Sequence, residues 1–191
     1  SSPSGINGDL IGEPTPSYVP DGGLCGGLGA ETLLGGGGAC FDGNAIFFGD
    51  ILDGMSQLTV EARLRTTAPW GNIVSKYLNP IDLSYELSVY DGRVYFVTTA
   101  SGEAVGALTG ARVYDGNWHH LVGSYDGTNQ SVFVDGNLGA SAAQSGAIQN
   151  NTRPLCIGAH CDLGTPPATS QMFQGLLDEV LIYNRGLSEA E

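Results

Sequence analysis

Two adjacent carboxylates, Asp178 and Glu179, stand inside an apolar run that spans residues 175–183. A strand otherwise fit for burial rarely keeps Asp and Glu unless something pairs with them. Basic partners are scarce: 7 Lys+Arg stand against 20 Asp+Glu, a net charge of −13. A hard cation is therefore the natural counter-charge for Asp178. The competing reading is that its carboxylate accepts hydrogen bonds from turn N–H groups with no ion. Strict alternation lets only one of the pair face outward, and the spacing of Leu177, Val180 and Ile182 asks for a bulge between them.

A second constellation is aromatic. Trp70 lies in a polar Pro-Trp-Gly stretch, and Tyr77, Tyr90 and Tyr95 fall near strand ends or on a mixed face, with Arg93 close by. A sugar ring stacks its C–H face on an aromatic plane, while Asn, Asp, Gln and Arg hold the hydroxyls. Trp70, Tyr90, Arg93 and Tyr95 are the candidates for such a platform. Ordinary core or edge packing is the alternative for each.

Trp118-His119-His120 invites a catalytic or metal reading. Neighbours on a strand point to opposite faces, so the two histidines do not readily share an ion. His119 has the parity of Leu121 and is expected to be a hydrogen-bonded core histidine. Glu61 and Glu86 read as lone acids on solvent faces. Glycosidases need two carboxylates about 5–5.5 Å apart for retention, and no tight acidic array supplies them. No Gly-x-Ser-x-Gly, His-Glu-x-x-His or phosphate loop is present either. Catalysis is not expected.

The four cysteines form two close pairs, Cys25/Cys40 and Cys156/Cys161, and four cysteines allow three connectivities. The two local bridges are the expected choice. Neither pair has zinc-motif spacing; His160 beside Cys161 is the one hint of zinc. Disulfides point to an oxidising compartment, with the chain secreted or at the cell surface. The acid excess argues against nucleic acid and anionic membrane as partners. No apolar run reaches the ~18 residues of a membrane span.

These residues need elements to hold them. Pro3, Pro14, Pro16 and Pro20 break residues 1–40, which are expected to form an irregular arm over a single domain. A 25–40 bridge would stabilise that arm by about 3 kcal/mol in the chain-entropy model. From Phe41 the period becomes two. Leu58, Val60, Ala62 and Leu64 share one face, and Gln57, Thr59, Glu61, Arg63 and Arg65 the other. Asp-Gly turns separate further alternating runs, notably at 91–92 and 135–136. Thirty glycines and 14% charged residues suit such a turn-rich protein. The fold class expected is all-β, an antiparallel two-sheet β-sandwich. Ser188 and Glu191 read as a capping box opening a short terminal helix.

The ordered set of motifs then resembles a known family. Phe41-Asp42-Gly43 opens a strand, and Leu58-Thr59-Val60-Glu61-Ala62-Arg63-Leu64 follows with Arg63 where the family usually has Trp. Ile73-Val74-Ser75-Lys76, Asn117-Trp118-His119-His120-Leu121-Val122 and Tyr125-Asp126-Gly127 come next. Val132-Phe133-Val134-Asp135-Gly136 and Leu177-Asp178-Glu179-Val180-Leu181-Ile182-Tyr183-Asn184-Arg185 complete it. Over residues 41–191 this is similar to the laminin-G-like, concanavalin A-like jelly-roll domains of secreted bacterial proteins. The family's earlier aromatic-rich strand is missing, which leaves one sheet edge open to question.

The resemblance implies a noncatalytic module of a larger secreted protein that binds carbohydrate, with adhesion to a protein partner as the alternative. It also implies a structural Ca2+ that ties the N-terminal region to the last strand. Calcium takes six to eight oxygens. Asp178 is the first ligand expected, joined by Asp42, Asn44 and Asn7 and by the carbonyl of Gly43.

Overall fold

The structure is a computed structural model that describes residues 17–19, 39–42, 45–77, 82–161 and 169–187, with backbone alone at 17–19, 39, 40, 42, 169 and 170. Among the described residues there are fifteen strands and no helix. They are β1 (Ser17–Val19), β2 (Ala39–Asp42), β3 (Ala45–Phe47), β4 (Leu58–Arg65) and β5 (Trp70–Tyr77). Next come β6 (Leu83–Tyr90), β7 (Arg93–Ala100), β8 (Glu103–Arg112), β9 (Trp118–Tyr125) and β10 (Asn129–Val134). The last are β11 (Asn137–Ala143), β12 (Cys156–Ile157), β13 (His160–Cys161), β14 (Thr169–Ser170) and β15 (Gln174–Tyr183).

Two antiparallel sheets face each other, one of seven strands ordered β1-β3-β12-β5-β6-β7-β8 and one of six ordered β11-β10-β9-β4-β15-β2. A small β13-β14 ladder lies beside the first. The expected sandwich is the observed one. Alternation decides what fills it: Leu58, Val60, Ala62 and Leu64 of β4 are all fully buried. Leu87 and Phe96, paired across β6 and β7, meet them from the other sheet in one continuous core. Apolar area removed from water at roughly 25 cal/mol per Å² is what holds the two layers together.

The Asp-Gly hairpins take the form their sequence asks for. Asp91 and Gly92 sit at φ 50° and 72°, and Asp135 and Gly136 at 51° and 76°. Positive φ at both central residues matches the strand twist in two-residue turns. Ser101-Gly102 makes the same turn at 52° and 79° between β7 and β8.

The front of the chain contributes two described strands. β1 pairs with β3 at the edge of the larger sheet, and β2 pairs with β15 at the edge of the smaller. One edge of each sheet is therefore formed by residues from the first 42. Residues 1–16 and 20–38, with Cys25, lie outside the described residues, as do 188–191 and the capping box expected there.

Among the described residues one cation, Lys76, is fully buried. Lys76 on β5 points its Nζ to Asp50 Oδ1 at 2.5 Å, Arg153 O at 2.9 Å and Asp53 Oδ2 at 3.3 Å. Burial raises the Asp53 pKa, and Lys76 opposes that rise. This cluster fastens the segment before β4 to the end of β5.

Candidate ligand-binding face

The expected aromatic residues come together on the outer face of the seven-stranded sheet. The register sets Trp70 opposite Tyr90 and Tyr90 opposite Arg93, so one rung crosses three strands. Arg112 of β8 continues the same rung. Two residues further in, Ser88 pairs with Tyr95, putting Tyr95 on the same face. Trp70 is the first residue of β5 rather than part of a loop.

Trp70 and Tyr90 are 51% and 52% exposed, and their ring centroids stand 4.5 Å apart in an edge-to-face pair. Tyr95 follows 6.4 Å from Tyr90. Its ring lies down over the neighbouring strand: a Cβ on Gly106 would fall 2.2 Å from Tyr95 Oη. Only the missing side chain at Gly106 lets the ring lie that flat. Burial and the nearby Glu86 carboxylate raise the Tyr95 hydroxyl above its ordinary pKa.

Deeper along the face, the reading of Glu86 as a lone solvent acid is corrected. Glu86 is 8% exposed, and His160 Nε2 sits 3.1 Å from its Oε2. The imidazole in turn packs on Tyr77, centroids 4.2 Å apart. Alternation had put Glu86 on the correct face; nothing local said that a loop from residues 158–161 would cover it. That loop is stapled by the Cys156–Cys161 disulfide and held down by Ser75 Oγ donating to Ala159 O at 3.0 Å. The 156–161 bridge is thus the local one expected. His160 belongs to Glu86, and no three His, Cys, Asp or Glu side chains among the described residues are grouped to hold a metal, zinc included. Cys40 is described only as backbone in β2.

Asn72 and Gln171 were missed by the sequence reading. Asn72 N–H donates to Gln171 O at 3.0 Å, and its Nδ2 donates to Gln171 Oε1 at 3.2 Å. Asn72 Oδ1 is buried without a partner. Gln171 holds φ 49°, a costly conformation for a residue with a side chain.

The other outer face, on the six-stranded sheet, carries the expected carboxylates. β15 bulges between Asp178 and Leu181 against β4, as the spacing of its apolar residues required. Glu179 takes φ 48° in that bulge, and Asp178 Oδ1 accepts the Glu179 N–H at 2.9 Å. Arg63 reaches Glu179 at 3.7 Å and stacks 5.7 Å from the Trp118 ring centroid, filling the place of the family's Trp. The register puts Asp42 opposite Gln174, four residues from Asp178. Asn7, Gly43 and Asn44 lie outside the described residues. The side chain of Asp42 likewise lies outside what the structure describes.

The two histidines point to opposite faces, as alternation demands. His119 is held at the rim of the core rather than within it, its Nδ1 2.8 Å from Asp135 Oδ2 and its Nε2 3.1 Å from Asp115 Oδ1. Burial lowers its pKa, but the hydrogen bonds and charges of Asp135 and Asp115 outweigh this and raise it. Asp115 is held at about 2, chiefly by the backbone and side-chain N–H groups of Asn117. His120 Nε2 lies 2.7 Å from Glu61 Oε1, and Tyr183 Oη donates to Glu61 Oε2 at 3.3 Å. Glu61 is thus not a lone acid either.

Residues 41–191 match the sequence model described as the concanavalin A-like lectin/glucanases superfamily. No curated protein matches the chain in sequence. Among solved structures, domain 4 of AbnA, an extracellular arabinanase from Geobacillus stearothermophilus solved with arabinotriose, is similar with a TM-score of 0.64 and 18% identity. The match covers 93% of this chain and 79% of that one. A putative carbohydrate binding protein from Bacteroides ovatus gives a TM-score of 0.63 and 16% identity, over 79% of this chain and 44% of that one. Mouse laminin α1 domains LG4-5 give 0.60 and 20%, over 80% of this chain and 42% of that one. The chain thus spans less than half of the last two. At these identities the likeness is one of fold.

Proposed function

The chain belongs to the concanavalin A-like lectin/glucanase superfamily, and from that premise we propose that it is a noncatalytic carbohydrate-binding module of a larger secreted protein. The observation that carries the reading is the exposed pair Trp70 and Tyr90, with the half-buried, flat-lying Tyr95 beside it on one sheet face. Aromatic planes beside Asn, Gln and Arg groups suit the alternating C–H and hydroxyl surfaces of a glycan. Two neighbours in fold carry carbohydrate in their own descriptions, an arabinotriose complex and a putative carbohydrate binding protein, which supports the same class of ligand. The Cys156–Cys161 bridge supports an oxidising, extracellular setting.

Catalysis is left out of this reading because each acid near the aromatic row is already engaged. Glu86 is covered by His160, and Asp91 lies between Arg93 and Arg112. The protein-binding alternative has one observation in its favour, the exposed Leu138 and Leu181 on the six-stranded sheet. A structural calcium belongs to the same proposal, with Asp178 as its first ligand and Asp42, Asn44, Asn7 and the Gly43 carbonyl as the candidate donors.

Retention of the chain on a panel of immobilised plant, algal and bacterial polysaccharides tests the function. Retention that weakens in Trp70→Ala is the expected result. A chain that binds no polysaccharide, yet is correctly folded, would favour the protein-binding alternative.

A further inference from the structure

We infer that the glycan bound by this face carries an anionic substituent, a carboxylate or a sulfate ester, gripped by Arg93 and Arg112; the inference rests on the carbohydrate-binding reading above. The two arginines extend the rung that begins with Trp70 and Tyr90. A sugar stacked on those rings therefore has its substituents beside two guanidinium groups.

Those groups lack their full set of acceptors. A guanidinium offers five N–H donors in a rigid fork that matches an oxyanion. Among the described residues Arg93 has a single contact of this kind, NH2 to Asp91 Oδ2 at 3.4 Å, and its buried Nε has no partner. Arg112 NH2 approaches the same Asp91 oxygen at 3.5 Å, and its NH1 donates to Asp91 O at 3.0 Å and Tyr114 Oη at 3.4 Å. One carboxylate thus stands between two cations, at distances beyond the roughly 2.7–2.9 Å of a strong charged pair. One positive charge is left over, on side chains 34% and 51% exposed.

The chain has only 7 basic residues and a net charge of −13, and two of the seven share this rung. The distant acids repel an anion weakly, because charges more than about 10 Å away are largely screened at 0.1 M salt. The nearby Glu86 is occupied by His160 under the disulfide loop. An oxyanion beside Tyr90 would balance the pair and give each fork an acceptor.

The test is affinity electrophoresis of the intact chain in gels holding polygalacturonate or alginate, dextran sulfate, or neutral xylan and dextran. Retention by a carboxylated or a sulfated polymer is expected, and which of the two is retained identifies the anion. Raising salt from about 50 to 500 mM should weaken retention several-fold, as screening of a charged contact requires. Arg93→Gln/Arg112→Gln should weaken it at least tenfold with an unchanged melting curve. Retention by neutral polymers alone, or acidic retention indifferent to salt and to the double variant, would overturn the inference and leave the carbohydrate reading standing. No retention by any polymer would remove both. Should the double variant misfold, the salt series on the unaltered chain and Arg112→Gln alone still decide.

Discussion

His160 Nε2 lies 3.1 Å from Glu86 Oε2, and both residues are nearly buried on the outer face that bears Trp70 and Tyr90. The contact joins a strand of the larger sheet to a loop 74 residues later in the chain. What holds it is covalent: the Cys156–Cys161 bridge closes the loop that delivers His160.

Cys156→Ser/Cys161→Ser should therefore cost about 2 kcal/mol of stability, the chain-entropy value for so short a loop. Urea unfolding measures it. Trp fluorescence and glycan retention of the folded variant should also change, because the covering of Glu86 loosens.

His119 supplies a pH signature. Its folded pKa lies above the ordinary value because Asp135 and Asp115 outweigh burial. The stability it contributes is fully present below its unfolded pKa of about 6.5 and is lost as pH rises through the folded value. Asp115, held at about 2, works the other way: its contribution is present above its ordinary pKa and is lost as pH falls through about 2. Melting temperature against pH for the unaltered chain and His119→Gln should diverge most on the mildly acidic side and converge as pH rises. Parallel curves from pH 5 to 9 would mean that His119 carries no such linkage.

Gly106→Ala separates the platform from the fold. The new Cβ meets only the outer end of the Tyr95 ring, so the ring lifts at small cost in stability. Affinity for glycan should fall by several-fold while the melting temperature moves by a few degrees at most. Gly123→Ala makes the same clash against the buried Phe96 ring and should instead cost about 1–3 kcal/mol by overpacking.

Chelation addresses the proposed calcium. An ion bound only to the folded chain stabilises it by mass action, so excess chelator should lower the melting temperature and Asp178→Ala should do the same. An unchanged melting curve in chelator would remove the ion.

Much of the fold was legible because alternation is a local property. The burial of Leu58, Val60, Ala62 and Leu64 and the bulge after Asp178 could both be read from spacing alone. The aromatic candidates were legible as types. Their convergence depends on the register of β5, β6 and β7, which the Asp91-Gly92 turn fixes for only one of the two pairings. Glu86, Asn72 and Gln171 were not legible, since their partners arrive from a distant segment. Order in the chain said that the two ends meet, but only the β2–β15 register says at which residues.

The central claim is that Trp70 and Tyr90 are a glycan-stacking surface. Affinity electrophoresis of the unaltered chain and Trp70→Ala/Tyr90→Ala, in a polysaccharide that retains the former, tests it most directly. The account predicts at least a tenfold loss of affinity, roughly 1.4 kcal/mol, with the melting curve intact. Equal retention of the two proteins would contradict it.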